Sequence, residues 1–155
     1  MPINVNQLKT RVVEPVLHGL GLHSDAATNL ILGTAAQESR MGTFLVQLGG
    51  GPALGIFQME PNTHDDIWLN FLQYREALAG EIRGQYMVNG GASELVWNLA
   101  YATAMCRMHY LRKPGAIPTS VEGMAAYWKK HYNTELGKGT EEEFIANYNR
   151  YVVGG

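Results

Sequence analysis

The stretch Ser24-Asp25-Ala26-Ala27-Thr28-Asn29-Leu30-Ile31-Leu32-Gly33-Thr34-Ala35-Ala36-Gln37-Glu38-Ser39 decides the fold class. Ser24 and Asp25 each carry a short polar side chain able to accept from the first unpaired N–H groups of a helix, so one starts there and runs to about Ser39. Ala27, Leu30, Ile31, Thr34 and Ala35 recur at helical steps and form one apolar stripe. Glu38 falls at the end of that stripe, where a carboxylate is out of place.

Working outward, helical periodicity continues and alternating strand patterns are scarce. Val5 to Leu20 contains Pro15, which removes a backbone donor and predicts a kink or two short helices, ended by Gly19 and Gly21. Gly42, Gly49, Gly50, Gly51 and Gly55 mark a loop. A helix then starts after Pro61, with Ile67, Trp68, Phe71 and Leu72 on it. Ser93 predicts the cap of a long helix to about Leu111, with Val96, Leu99, Ala100, Thr103 and Cys106 on one face. Ser120 opens another through Tyr132. Thr140 with Glu143 reads as a capping box for a last helix bearing Phe144, Ile145, Tyr148 and Tyr151. The expectation is an all-α single domain over residues 1–155, with a minor β-hairpin or irregular loop around residues 42–58.

A chain of 155 residues with 46% hydrophobic content can bury a core. Its 3 Trp, 8 Tyr and 4 Phe either fill that core or line a cleft. The formal net charge of −2 argues against a nucleic-acid partner, which selects a clustered basic face, and provides no overall attraction to an anionic surface. Cys106 is alone, so no intrachain disulfide forms, and it reads as a small buried apolar residue. Met1-Pro2-Ile3-Asn4 lacks the basic-then-apolar pattern of a secretory leader, and no run approaches the ~20 apolar residues of a membrane span.

Glu38 is the residue with chemical promise. A carboxylate on an apolar face loses hydration, which disfavours its charged form and raises its pKa. A glutamic acid so tuned can donate a proton near neutral pH. Periodicity alone leaves a second reading open, in which Glu38 reaches solvent or pairs with Arg40. Other clusters carry less. His64-Asp65-Asp66 holds metal-ligand residue types but lies at a helix start, where acidic side chains suit the dipole. No histidine pair has zinc-site spacing, and Gly49-Gly50-Gly51 lacks the Gly-Lys-Ser/Thr of a phosphate loop, so neither metal nor cofactor is expected. Lys129, Lys130 and His131 form a basic patch, either a solvated face or a contact for substrate carboxylates.

Three motifs resemble the lysozyme-like superfamily, in its soluble lytic transglycosylase and goose-type lysozyme branch. Ala35-Ala36-Gln37-Glu38-Ser39 is similar to that branch's Glu-Ser motif at a helix end. Gly55-Ile56-Phe57-Gln58-Met59-Glu60-Pro61-Asn62-Thr63 resembles its Gly-Leu-Met-Gln segment with a Pro-x-Thr helix start. Ala125-Ala126-Tyr127 is a weaker match to its Ala-Tyr-Asn motif. Their order, and the spacing between Glu38 and Gln58, suit the branch, and the likeness covers roughly residues 25–135. The chain departs from it at Phe57, where Met is usual, and at Trp128, where Asn is expected.

The resemblance implies a substrate cleft and cleavage of peptidoglycan glycan strands. It implies that Glu38 is the catalytic acid/base and that Ser39 orients that carboxylate or touches the sugar. Gln58 is implied as a polar group lining the cleft, and Tyr127 as a hydroxyl that positions Glu38 or the N-acetyl sugar. Asn133 is a candidate for the polar role that Trp128 cannot fill. A glycosidase ordinarily needs a second carboxylate, for which Glu60, Asp65, Asp66 and Glu94 are candidates. The transglycosylase branch dispenses with it, because the substrate's N-acetyl group and C6 hydroxyl do that work. With no leader, the resemblance points to a phage or prophage product. Such a product is made in the host cytoplasm and reaches the wall after release or among other virion proteins. Hydrolysis in the manner of a lysozyme, and a weakly active or inactive structural module of a phage tail or injection apparatus, are the alternative readings.

Overall fold

Ser24 starts the central helix of the computed structural model, which describes residues 1–134 and 137–155. Its hydroxyl, on an extended residue, accepts from Ala27 N–H at 3.0 Å and opens α3 (Asp25–Ser39). The chain reaches it through α1 (Val5–Leu8) and α2 (Glu14–Gly19). Between these lies a π-helical stretch, Lys9–Val13. Pro15 sits at the start of α2, and the π turn accommodates the backbone where its missing donor breaks the regular ladder.

The expected single stripe of α3 proves to be burial on nearly every side. Ala27, Thr28, Leu30 through Ala36 and Ser39 are all buried, because α3 runs through the middle of the domain and other helices pack around it. Gly33 permits a close approach by the helix that carries Phe144. A Cβ there would stand 2.6 Å from Phe144 Cζ. Thr34, also interior, donates its hydroxyl to Leu30 C=O at 2.7 Å, so Tyr110 Oη, 2.8 Å away, is the donor to it.

Residues 42–58 form an irregular loop with two isolated antiparallel bridges, Val46 with Leu54 inside it and Leu54 with Met59 just past its end. No strand is present among the described residues. Next come α4 (Pro61–Asn70), a 3₁₀ turn Leu72–Tyr74, α5 (Glu76–Glu81) and a π turn Ile82–Tyr86. No cap or apolar stripe in the sequence marks α5 in advance.

The long helix expected from Ser93 is broken. α6 (Glu94–Trp97) is one turn, Asn98 is extended, and α7 (Leu99–Leu111) begins after it. Ser93 makes no capping bond. Asn98 makes it instead, accepting from Tyr101 N–H at 3.0 Å while its Nδ2 donates to Tyr86 C=O and Glu94 Oε2, each at 2.7 Å. A side chain that offers the backbone a better partner than the helix does starts a new helix. α8 (Val121–Trp128), capped by Ser120, continues as a π turn Lys129–Asn133. α9 (Glu141–Asn147), capped by Thr140, closes the domain and runs into a last π segment, Tyr148–Val153. The core joins residues from α1 to α9, among them Leu17, Ile31, Ile67, Met105, Trp128 and Phe144. No helix among the described residues is long and apolar enough to cross a membrane.

Candidate active site

Three successive buried carbonyls, of Gly55, Ile56 and Phe57, anchor the loop behind the site, and each takes a side-chain donor. Gln58 Nε2 donates to Gly55 C=O at 2.9 Å, Ser39 Oγ to Ile56 C=O at 2.6 Å, and Tyr132 Oη to Phe57 C=O at 2.6 Å. The loop is thereby tied to the end of α3 and to the turn after α8. Gly55 is required on two counts: its φ is +80°, and a Cβ there would stand 2.1 Å from Leu95 C=O. Gln58 also has a positive φ of 48°, a cost that non-glycine residues bear where the surroundings impose it. One Nε2 hydrogen goes to Gly55, and Oε1 has no partner among the described residues.

This loop faces a groove of about 900 Å³ that the ends of α3 and α7, the start of α4 and the turn after α8 complete. Glu38, Gln58, Glu60, Thr63, His109, Trp128, Tyr132 and Asn133 line it, with Lys138 and Glu143 at its other side.

Glu38 is partly exposed on this groove. Burial of its carboxyl raises its pKa from the ordinary 4.5 to about 7, against a smaller opposing pull from the Trp128 N–H. That N–H donates to Oε2 at 2.9 Å. An indole nitrogen only donates, so Oε2 is the acceptor, and Oε1, which has no partner among the described residues, is the oxygen left open to carry a proton to a ligand. Glu38 makes no pair with Arg40, which instead occupies the left-handed residue that ends α3.

Ser39 is shut off from the groove. It is 0% exposed. Besides its bond to Ile56, its hydroxyl accepts from Gly42 N–H at 2.8 Å. It makes no bond to the carboxylate, and its work is to hold the end of α3 against the loop. Tyr127 is likewise turned from the groove. Its ring stands 5.7 Å from that of Tyr110 and edge-on to His131 at 4.5 Å. The next residue, a hundred degrees round the helix, faces Glu38 instead. The structure thus puts the neighbour of the carboxylate at Trp128, while Tyr132 lines the groove with its hydroxyl turned inward onto Phe57 C=O. Four residues apart, these two share a face, and that spacing was the signal available in the sequence. Asn133 does line the groove, with Lys129 Nζ on its Oδ1 at 2.7 Å and on Gly137 C=O at 3.0 Å. Lys129 therefore works inside the fold.

Of the four carboxylates considered as a second group, Glu60 alone lines the groove. Asp65 lies on the other side of α4 beside His64. Asp66 pairs with Arg112 at 2.6 Å. Glu94 is 0% exposed and structural: it accepts from the N–H groups of Val88, Asn89 and Gly90, each at 2.7 Å. Glu143, not considered from sequence, also reaches the groove, at the capped start of α9. Among the described residues no three His, Cys, Asp or Glu side chains group as a metal site would require.

No family model, curated protein or solved structure matches this chain.

Proposed function

We propose that this chain cleaves the β-1,4 bond between N-acetylmuramic acid and N-acetylglucosamine in peptidoglycan, with Glu38 as acid and then base in a lytic transglycosylase reaction on a lysozyme-like fold. The observation that carries the reading is a glutamic acid, its pKa raised by burial to about 7, with one oxygen pinned by Trp128 and the other without a partner among the described residues, on the wall of a groove of about 900 Å³. In the first step Oε1–H gives its proton to the glycosidic oxygen as the C1–O bond breaks, and the substrate's own N-acetyl carbonyl stabilises the developing charge at C1. In the second, the C6 hydroxyl attacks C1 and returns its proton to Glu38, closing a 1,6-anhydro ring. One carboxyl with a pKa near working pH suits both steps. The Oε2 bond to Trp128 steadies the anion between them. Glu60 and Glu143 on the groove support a second reading, hydrolysis, in which either would hold the attacking water.

The test is a digest of purified peptidoglycan, with the soluble fragments analysed by mass spectrometry. Anhydromuramyl ends are the expected product. Reducing ends would replace the transglycosylase step with hydrolysis, and intact sacculi would overturn the enzymatic reading in favour of a structural module.

A further inference from the structure

The groove has a second buried titratable group for which the reaction above has no use. His109, on α7, is only 7% exposed, yet its side chain lines the groove. Its Nδ1 lies 3.1 Å from Arg112 Nη2. A guanidinium has five donors and no acceptor, so Nδ1 must accept and carry no hydrogen. The neutral ring then has its proton on Nε2, which has no partner among the described residues. Arg112 cannot swing away freely, because its Nη1 donates to Asp66 Oδ2 at 2.6 Å. Asp66 is itself held by Asn70 Nδ2.

We propose that Asp66 and Arg112 lock His109 into the tautomer with hydrogen on Nε2, and that this N–H is a neutral donor to an acceptor oxygen, a hydroxyl or an amide carbonyl, of the glycan in the groove. The proposal rests on the reading of the groove as a glycan site. Charging the ring would place Nδ1–H against the guanidinium. The charged groups around it are Arg112, Lys113 and Asp66, two cations to one anion, and the titratable ring of His131 faces it as well. The aromatic ring of Tyr132 stands edge-on at 5.0 Å, and that of Tyr110 lies at 6.3 Å. Burial, then Arg112 and Lys113, hold the imidazole far below its ordinary pKa, at about 3. His109 therefore neither titrates with Glu38 nor competes for its proton. A donor of fixed protonation beside an acid that must change its own keeps the grip on the substrate independent of the reaction step.

Long-range proton–nitrogen NMR of the ring, recorded on Glu38→Gln so that no substrate is consumed, tests both halves. Without ligand, Nδ1 should show the unprotonated shift and Nε2 the protonated one, unchanged from pH 5 to pH 8. Arg112→Met should release the lock and mix the tautomers. Adding the trimer of N-acetylglucosamine should move the Nε2 signal, and His109→Ala should weaken trimer binding about 3- to 10-fold, the worth of one hydrogen bond. Cellotriose, which lacks the amide, separates the acceptors: a like shift assigns a hydroxyl, and none assigns the carbonyl. A ring that titrates near its ordinary value, that carries hydrogen on Nδ1, or that is unmoved by the trimer would overturn the proposal. Wall cleavage by the wild type together with any of these results would do so while leaving the proposed reaction intact. A trimer-induced shift with no wall cleavage would remove the reaction and keep the donor.

Discussion

Trp128 and Glu38 stand ninety residues apart and meet at 2.9 Å, indole N–H to carboxyl oxygen. The bond favours the charged form of Glu38, while burial favours the neutral form and prevails. Trp128→Phe keeps most of the buried ring and removes the donor. It should raise the pKa of Glu38 further, so the alkaline limb of the pH–rate profile shifts to higher pH. The loss of positioning should lower kcat by about tenfold, the effect of roughly 1.4 kcal/mol. An unshifted alkaline limb in the variant would exclude Trp128 from tuning the acid.

In the wild type that alkaline limb should lie near pH 7, because the first step needs Glu38 protonated. Activity on purified walls should therefore fall as pH rises through about 7. A rate that climbs steadily from pH 6 to pH 9 would contradict the assignment of Glu38 as the acid.

The same carboxyl should cost stability as pH rises. Its folded pKa of about 7 lies above its ordinary 4.5, so the native state holds the proton that the unfolded chain releases. The group's favourable contribution is complete below about pH 4.5 and gone once pH passes about 7. Glu38→Gln should therefore be more stable than wild type at pH 8, by on the order of 2 kcal/mol, and lose that advantage below pH 4.5. Denaturant melts at both pH values read the difference, and an equal gap at both would refute it.

Glu94 should act in the opposite sense. Burial pushes its carboxyl up, but the N–H groups of Gly90, Val88 and Asn89, with the amide of Asn98, outweigh it and hold the pKa below the ordinary value. Its contribution is present above the unfolded pKa and lost as pH falls through the folded one. Glu94→Gln should lower Tm at pH 7 and narrow its difference from wild type in acid. A constant difference across pH 3 to 7 would show that the carboxylate charge does no such work.

Ser39→Ala should destabilise without touching substrate. It removes the donor to Ile56 C=O and leaves the Gly42 N–H without its acceptor, both inside the fold. The cost should be about 1–3 kcal/mol in a denaturant melt. KM should change little, since the hydroxyl is shut off from the groove. A large rise in KM with unchanged stability would restore a substrate contact to Ser39.

Much of the helical frame was legible because caps are local. Ser24, Ser120 and Thr140 each accept from the N–H three residues on, as their side chains dictate. Glu38 was legible for a similar reason, as a carboxylate at the end of an apolar stripe. The break at Asn98 was not, because it depends on Tyr86 and Glu94 as well as on the asparagine. Tyr127 was favoured over Trp128 by a motif, and a step of one residue on a helix changes the face. His109 continues the face of Thr103 and Cys106 at helical spacing, so its inward position could be read, but its tautomer depends on Arg112 and on Asp66 from another helix.

The central claim is that Glu38 gives the proton that breaks a glycan strand. The direct measurement is the turbidity of permeabilised Gram-negative walls with equal amounts of wild type and Glu38→Gln, both shown by circular dichroism to be folded. Clearing by the wild type and a loss of at least about 10³-fold in the variant, within the usual scale for a general acid, is the predicted result. Equal clearing by the two proteins would contradict it.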